Sequence, residues 1–186
     1  MAFQKPKKRE PVGEAELFDY AVRSLARRMR TVRDLRRLMK TRAHEGEAGE
    51  RDMDRVVERL IELKYLSDER FAQDYTRMRK ENQGLGRRRV AQDLAVKGVG
   101  KELAAETLET AYGEADEVEL ARAYCARKRI AQPSGPDAQK QTVRLMNRLM
   151  RAGYASGAIF KLLRSWKVEP PESGGDSDSY GEMPEF

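Results

Sequence analysis

Matching residues recur about every fifty positions along this chain, and that recurrence constrains the fold more than any other feature. Tyr20-Ala21, Phe71-Ala72 and Leu120-Ala121 fall at corresponding places, 51 and 49 residues apart. The pairs Leu35/Met39, Val90/Leu94 and Leu145/Leu149 correspond further along, and Gly98 corresponds to Gly153. Each period holds three apolar stripes at helical spacing, so the chain reads as an internal repeat of three helices. One such unit buries little by itself. Neighbouring units are therefore expected to stack, giving an all-α protein of three tandem three-helix repeats in an elongated, curved array.

The stripes can be followed residue by residue. Leu17, Ala21, Leu25 and Met29 mark a first helix; Leu35, Leu38 and Met39 a second; Met53, Val56, Val57, Leu60 and Leu63 a third. Thr31-Val32-Arg33-Asp34 fits a capping box opening the second helix, where a hydroxyl and a carboxylate satisfy amides that lack helical partners. Ser67 can cap a fourth helix, with Asp68 and Glu69 in its first turn and Phe71, Tyr75 and Met78 facing inward. Val90 and Leu94 line a fifth helix that Gly98 stops, and Leu103, Thr107, Leu108 and Ala111 a sixth. The last set runs through Val118, Ala121, Tyr124, Cys125 and Lys128, then Val143, Leu145, Met146 and Leu149. It ends with a helix that Ser156 can cap, carrying Ile159, Phe160, Leu163 and Trp166. The repeats are placed at 14–66, 67–113 and 114–168. Residues 1–13, basic and broken by Pro6 and Pro11, are expected to form a mobile arm. Residues 169–186, with Pro170-Pro171, Gly, Ser and acids, are expected to be a disordered tail.

Composition matters where it limits function. At 37% charged and 39% hydrophobic, against about 25% charged in an average domain, the chain suits thin buried stripes. No apolar run approaches the roughly 20 residues of a membrane span, and the N-terminus lacks a signal-like stretch, so a cytoplasmic location is expected. The net charge is +6, and the six carboxylates between Glu169 and Phe186 are unopposed by Lys or Arg, which leaves residues 1–168 at +12. A body that basic attracts nucleic acid or an acidic protein surface. The tail is either a solubilising end or a competitor for that surface.

Catalysis has little to use. The chain has one cysteine, Cys125, and one histidine, His44. Cys125 sits at core spacing and His44 in a polar loop, so neither a disulfide, a zinc site nor a nucleophile–base pair can be assembled. No phosphate-loop or nucleophile-elbow pattern occurs. The protein is read as a non-enzyme with no cofactor and no metal. The absence of a sustained heptad seam makes a monomer the expected state.

Binding chemistry is better represented. Gly84-Leu85-Gly86-Arg87-Arg88-Arg89 puts two glycines before three arginines in a helix's first turn. Cations there cost roughly 0.3–1 kcal/mol each, and an anionic partner reverses the sign. Exposed amides and guanidinium groups together can hold a phosphate or carboxylates, although the same stretch equally fits a solvated helix start. Arg79, Lys80, Arg87, Arg88, Arg89 and Lys97 are the candidate anionic contacts. A secondary basic face comprises Arg23, Arg27, Arg30, Arg33, Arg36 and Arg37. With few interleaved aromatics, both suit phosphate backbone or an acidic protein groove more than base stacking.

Three segments carry a family resemblance. Leu25-Ala26-Arg27-Arg28 with Thr31-Val32-Arg33-Asp34-Leu35, the stretch Tyr65-Leu66-Ser67-Asp68-Glu69-Arg70-Phe71-Ala72, and Gly84-Leu85-Gly86 through Arg89-Val90 and Leu94 to Lys97-Gly98-Val99 resemble the RecX family of recombination regulators. The similarity covers roughly residues 15–166, including Arg151-Ala152-Gly153-Tyr154. It departs at Lys64 and Ala43, where the family often has Gly, and in the acidic loop 43–50 and the Pro-containing linker 130–137. The resemblance implies tandem three-helix repeats, binding to RecA and its DNA filament, and reduced RecA ATPase, strand exchange and repressor cleavage in recombination, DNA repair and the SOS response. It supplies no catalytic residues. Tyr65 and Phe71 are expected to pack at the junction of the first two repeats, and Asp68 to serve a helix start. The alternatives are a helical protein that binds DNA, single- or double-stranded, without RecA, and a scaffold for an acidic protein. The first of these would bind bare DNA with a steep salt dependence.

Overall fold

The computed structural model describes residues 10–168; the expected tail at 169–186, and residues 1–9 of the expected arm, lie outside them. Nine helices and no strands occur among the described residues: α1 Glu14–Arg27, α2 Val32–Met39, α3 Glu47–Glu62, α4 Asp68–Glu81, α5 Arg87–Lys97, α6 Lys101–Tyr112, α7 Glu117–Arg127, α8 Ala138–Arg151 and α9 Ser156–Ser165. The chain forms two compact units. Within the described residues, unit 1 takes 10–71 and 97–99, and unit 2 takes 72–96 and 100–168.

Unit 1 is built around Leu17 and Ala21 of α1, Leu35 and Met39 of α2, and Met53, Val56, Val57 and Leu60 of α3, with Ala43 and Leu66 from the loops. A fully buried leucine contributes roughly 1.5–3 kcal/mol by transfer from water, so the three leucines with no exposure, Leu17, Leu35 and Leu60, are its main anchors. At eight residues, α2 is too short to persist alone, and its start is heavily capped. Thr31 Oγ1 accepts from the Asp34 amide at 3.1 Å and donates to the Lys97 carbonyl at 2.7 Å. The Asp34 carboxylate does not complete the box; it faces Lys97 Nζ at 3.3 Å and Arg37 at 3.4 Å. The first amide of α2, that of Val32, instead donates to Asp68 Oδ1 at 2.8 Å. Asp68 therefore opens α4 and caps α2 at once. Burial pushes its carboxyl upward, against the Val32 N–H, which pulls it down.

Unit 2 packs Ala121, Tyr124 and Cys125 of α7, Leu145 and Leu149 of α8, and Ile159, Leu162 and Leu163 of α9 around Ala152 and Tyr154. Val90 and Leu94 of α5 and Leu108 and Tyr112 of α6 are also buried. Ser67 caps α4 as expected, accepting from the Arg70 amide at 3.1 Å. Ser156 does not cap α9: it is the first helical residue, Ala155 is the cap, and the Ala155 amide donates to Glu117 Oε1 at 2.7 Å.

The stripes overreach at their ends. Met29, Leu63, Met78 and Val143 are exposed, and α4 turns Ala72 and Thr76 inward in place of Met78. Met29 and Leu63 lie past the last turns of α1 and α3, where the helical period no longer sets direction. Tyr65, expected to pack, is 61% exposed, whereas Phe71 is buried. The chain leaves α3 through Lys64 in a left-handed conformation, φ +59°, with the Tyr65 amide bonded to the Leu60 carbonyl. That cap turns Leu66 inward and Tyr65 out. Glycine would adopt the same conformation without strain.

Candidate functional site

Two amides of the glycine–arginine stretch of unit 2 are taken by carbonyls at the end of α8. The Gly86 amide donates to the Ala152 carbonyl at 2.8 Å, and the Arg88 amide to the Gly153 carbonyl at 3.2 Å. The C-terminal end of α8 is thus docked on the start of α5, carbonyls meeting amides, so opposite helix-dipole ends face each other. This approach requires two glycines. A Cβ on Gly86 would sit 2.5 Å from the Gly153 carbonyl oxygen, and Gly153 is left-handed at φ +94°. Tyr154 Oη lies 2.6 Å from the Gly84 carbonyl, and Tyr112 Oη donates to the Leu85 carbonyl at 2.8 Å. Burial raises both phenols, Tyr112 to about 12. The expected anion cradle of backbone amides is a packing junction.

The three arginines that follow diverge, because successive helical residues point about 100° apart. Arg87 pairs with Glu109 at 2.8 Å. Arg88 is exposed, with no side-chain partner among the described residues. Arg89 pairs with Asp93 at 3.2 Å. Lys80 donates to the Ala111 carbonyl and sits 5.1 Å from the Tyr112 ring centroid. Lys97 faces Asp34 in unit 1.

What the junction brings together was not visible along the chain. Arg79 and Arg89 line one cleft with Arg148 and Arg151 from the end of α8, together with Gln83, Leu85, Tyr124 and Ala152, around a volume of about 290 Å³. Arg79 is held by Tyr75 Oη at 2.9 Å and Gln83 Oε1 at 2.6 Å. It also lies 3.0 Å from Asp93 Oδ2, close enough for charge attraction but without hydrogen-bond alignment. Asp93 thus serves two of the four guanidinium groups. Arg148 and Arg151 are exposed and form no ion pair among the described residues.

Unit 1 divides its arginines more sharply. On α2, Arg36 pairs with Glu50 at 3.0 Å and with Asp54, whose hydrogen bond holds the guanidinium pKa up; Arg37 reaches Asp34. Arg33 lies against the backbone of Gly98. On α1 the arrangement differs. Arg23 and Arg27 line a cleft of about 400 Å³ with Arg30, Arg42, Tyr20, Ser24 and Leu38, and no carboxylate lines it. Arg42 carried no sequence signal for this role, since it comes from the loop after α2. Among the described residues no group of three or more His, Cys, Asp or Glu could hold a metal ion, and no helix is long and apolar enough to cross a membrane. Cys125 is buried, and burial raises its thiol.

The chain is similar to known proteins in both sequence and fold. A family model described as the second three-helix domain of RecX matches residues 67–108. A protein named Regulatory protein RecX from Streptomyces coelicolor is 32% identical over 177 residues, spanning 94% of this chain and 87% of its own.

This chain belongs to the RecX family.

A second relative of that name, from Amycolatopsis mediterranei, is 31% identical over 156 residues, covering 82% of each chain. The crystal structure of RecX from Lactobacillus salivarius shares the fold at a TM-score of 0.62 and 17% identity, over 83% of this chain and 96% of that one. A further RecX crystal structure has a TM-score of 0.63 at 20% identity, over 81% and 71%. Membership in the RecX family makes this a regulatory protein with an all-helical repeat fold, and its arginine-lined clefts are the concave charged features on which a binding role can rest.

Proposed function

We propose that this chain binds RecA and the RecA–DNA filament and inhibits RecA's ATPase, strand-exchange and coprotease activities in recombination and DNA repair. It acts as a cytoplasmic monomer, by occupancy rather than by chemistry on a substrate. Beyond family membership, the observation that carries this reading is the unit 2 cleft, which four guanidinium groups line and where only Arg79 and Arg89 have a carboxylate, Asp93, beside them. Planar guanidinium forks match phosphate and carboxylate oxygens, so the cleft suits the surface of a filament made of protein and DNA backbone. Arg79 and Arg89 are the contacts kept from the sequence expectation, with Arg148 and Arg151 added and Arg88 reaching outward. Lys80, Arg87 and Lys97 already serve the Ala111 carbonyl, Glu109 and Asp34, and contribute less. The division into repeats at 14–66, 67–113 and 114–168 belongs to the same reading, with repeats engaging neighbouring RecA protomers.

The test is DNA-stimulated ATP hydrolysis by the cognate RecA, titrated with this chain at fixed salt. Inhibition at amounts well below RecA is expected, weakened about tenfold in the Arg148→Gln/Arg151→Gln variant if each lost charge-assisted contact is worth roughly 1.5 kcal/mol and part is recovered by water. No inhibition across the titration, together with tight salt-dependent binding to bare DNA, sinks this reading in favour of a DNA-binding protein that acts without RecA.

A further inference from the structure

The unit 1 cleft has no carboxylate among its described lining residues, whereas the unit 2 cleft has Asp93 paired with two of its arginines. Arg23, Arg27, Arg30 and Arg42 reach it from α1, from the loop after α1 and from the loop after α2, and no acid lines it. Two acids of α3, Glu50 and Asp54, are engaged by Arg36. Arg30 Nε donates to Ser24 Oγ at 2.6 Å, a neutral acceptor, and Asp34, whose charge also reaches Arg30, is already paired with Lys97 and Arg37. Burial and the nearby Arg28 pull the Arg30 guanidinium below its usual range. Arg42 stacks over the Tyr20 ring at 4.1 Å, and its Nε is buried without a hydrogen-bond acceptor. Its backbone is fixed by the Val12 amide, which donates to the Arg42 carbonyl at 2.8 Å. A buried charged donor without an acceptor is costly, because it has given up water for nothing in return. Four converging guanidiniums repel one another unless an anion sits among them.

We propose that this cleft is a binding site for a phosphate monoester, held by Arg23, Arg27 and Arg30, with Arg42 and the Tyr20 ring forming its back wall. Three features select this chemistry. Donors converge from three separate segments, which suits a tetrahedral group with three terminal oxygens better than a planar carboxylate. The cleft holds four positive charges, and a monoester brings about −1.5 to −2 where an internal diester brings −1. Its volume of about 400 Å³ is in the range of small-molecule sites, so there is room for whatever the phosphate is attached to. The ligand is either a free phosphorylated small molecule or the phosphorylated end of a nucleic acid strand. The site stands independently of RecA binding, which has its own cleft and its own assay.

The experiment is calorimetric titration of the full chain with inorganic phosphate at low, fixed ionic strength, with phosphorus NMR as a second readout. Saturable binding is expected, weakened about tenfold by each of Arg23→Gln and Arg27→Gln, whose side chains make no ion pair that folding would miss. Arg144→Gln, an equal loss of charge at an exposed position of α8 that lines neither cleft, is expected to leave it unchanged. Affinity should rise between about pH 5 and pH 7 as phosphate takes its second charge. Binding that is absent, insensitive to pH over that range, or equally weakened by Arg144→Gln overturns the proposal. A short single strand with and without a 5′-phosphate then identifies the source. Preference for the phosphorylated strand assigns a strand end, and no preference with phosphate binding intact assigns a free small molecule.

Discussion

Helices α2 and α5 begin at matching places in the sequence repeat, yet the unpaired amides of their first turns are satisfied by different means. At α2 the partners are side chains: the Thr31 hydroxyl takes the Asp34 amide and the Asp68 carboxylate takes the Val32 amide. At α5 the partners are the backbone carbonyls of Ala152 and Gly153 at the end of α8. A side-chain cap leaves the helix surface free to carry other groups and tolerates small shifts. A carbonyl cap requires two backbones to meet, which admits only glycine at the crossing, and in return delivers the arginines of α8 to those of α4 and α5. One start is closed by side chains; the other, where backbones meet, builds a cleft.

The largest test of this contrast is Gly86→Ala. With a Cβ placed 2.5 Å from a backbone oxygen, the α5–α8 junction must open, at an expected cost above about 3 kcal/mol. Gly100→Ala is the control, since nothing lies within 4 Å of that position. Equal denaturation midpoints for the two variants would mean that the junction is not closed by backbone contact. Thr31→Ala should cost about 1–2 kcal/mol, the usual value of a lost N-cap, and Thr31→Ser should recover most of it. If Thr31→Ser is as unstable as Thr31→Ala in urea unfolding, the residue acts through packing rather than as a cap.

The smallest effect is the tyrosine strut. Tyr112→Phe removes the hydrogen bond to the Leu85 carbonyl and should cost about 1 kcal/mol at neutral pH. Its phenol is raised from 10.0 to about 12 in the folded chain. The folded state therefore binds that proton more tightly than the unfolded state does. The associated stability is fully present below pH 10 and is lost as pH rises through about 12. Unfolding free energy should fall less steeply over that interval in Tyr112→Phe than in the parent chain; identical slopes would remove the phenol from the account.

Particular elements show how far local sequence reached. Leu17, Ala21, Leu35, Val56, Leu60, Val90, Leu94, Leu145, Leu149 and Ile159 are buried where their spacing placed them, because helical periodicity fixes which residues share a face before any partner is present. Periodicity failed at Met29 and Leu63, just beyond helix ends, and at Tyr65, where the left-handed Lys64 reversed the outward and inward directions. Thr31 and Ser67 were legible as caps because a cap acts within three residues of itself. Asp68 was legible as a helix start, but its bond to Val32, thirty-six residues away, was not.

The sequence by itself determined an all-helical chain, the positions of its helices, its excess of positive charge and its family resemblance, all of which depend on residue type and near neighbours. The tertiary structure decided which positive charges matter. Gly84-Leu85-Gly86 became a junction, because the Ala152 carbonyl takes the Gly86 amide while the Gly84 and Leu85 amides turn back to Lys80 and Arg79. Arg87, Arg88 and Arg89 were sent in three directions, and the clefts drew Arg42, Arg148 and Arg151 from segments with no local signal. Charge is a property of each residue, whereas an anion site is a property of where several chain segments converge, and only packing brings those segments together.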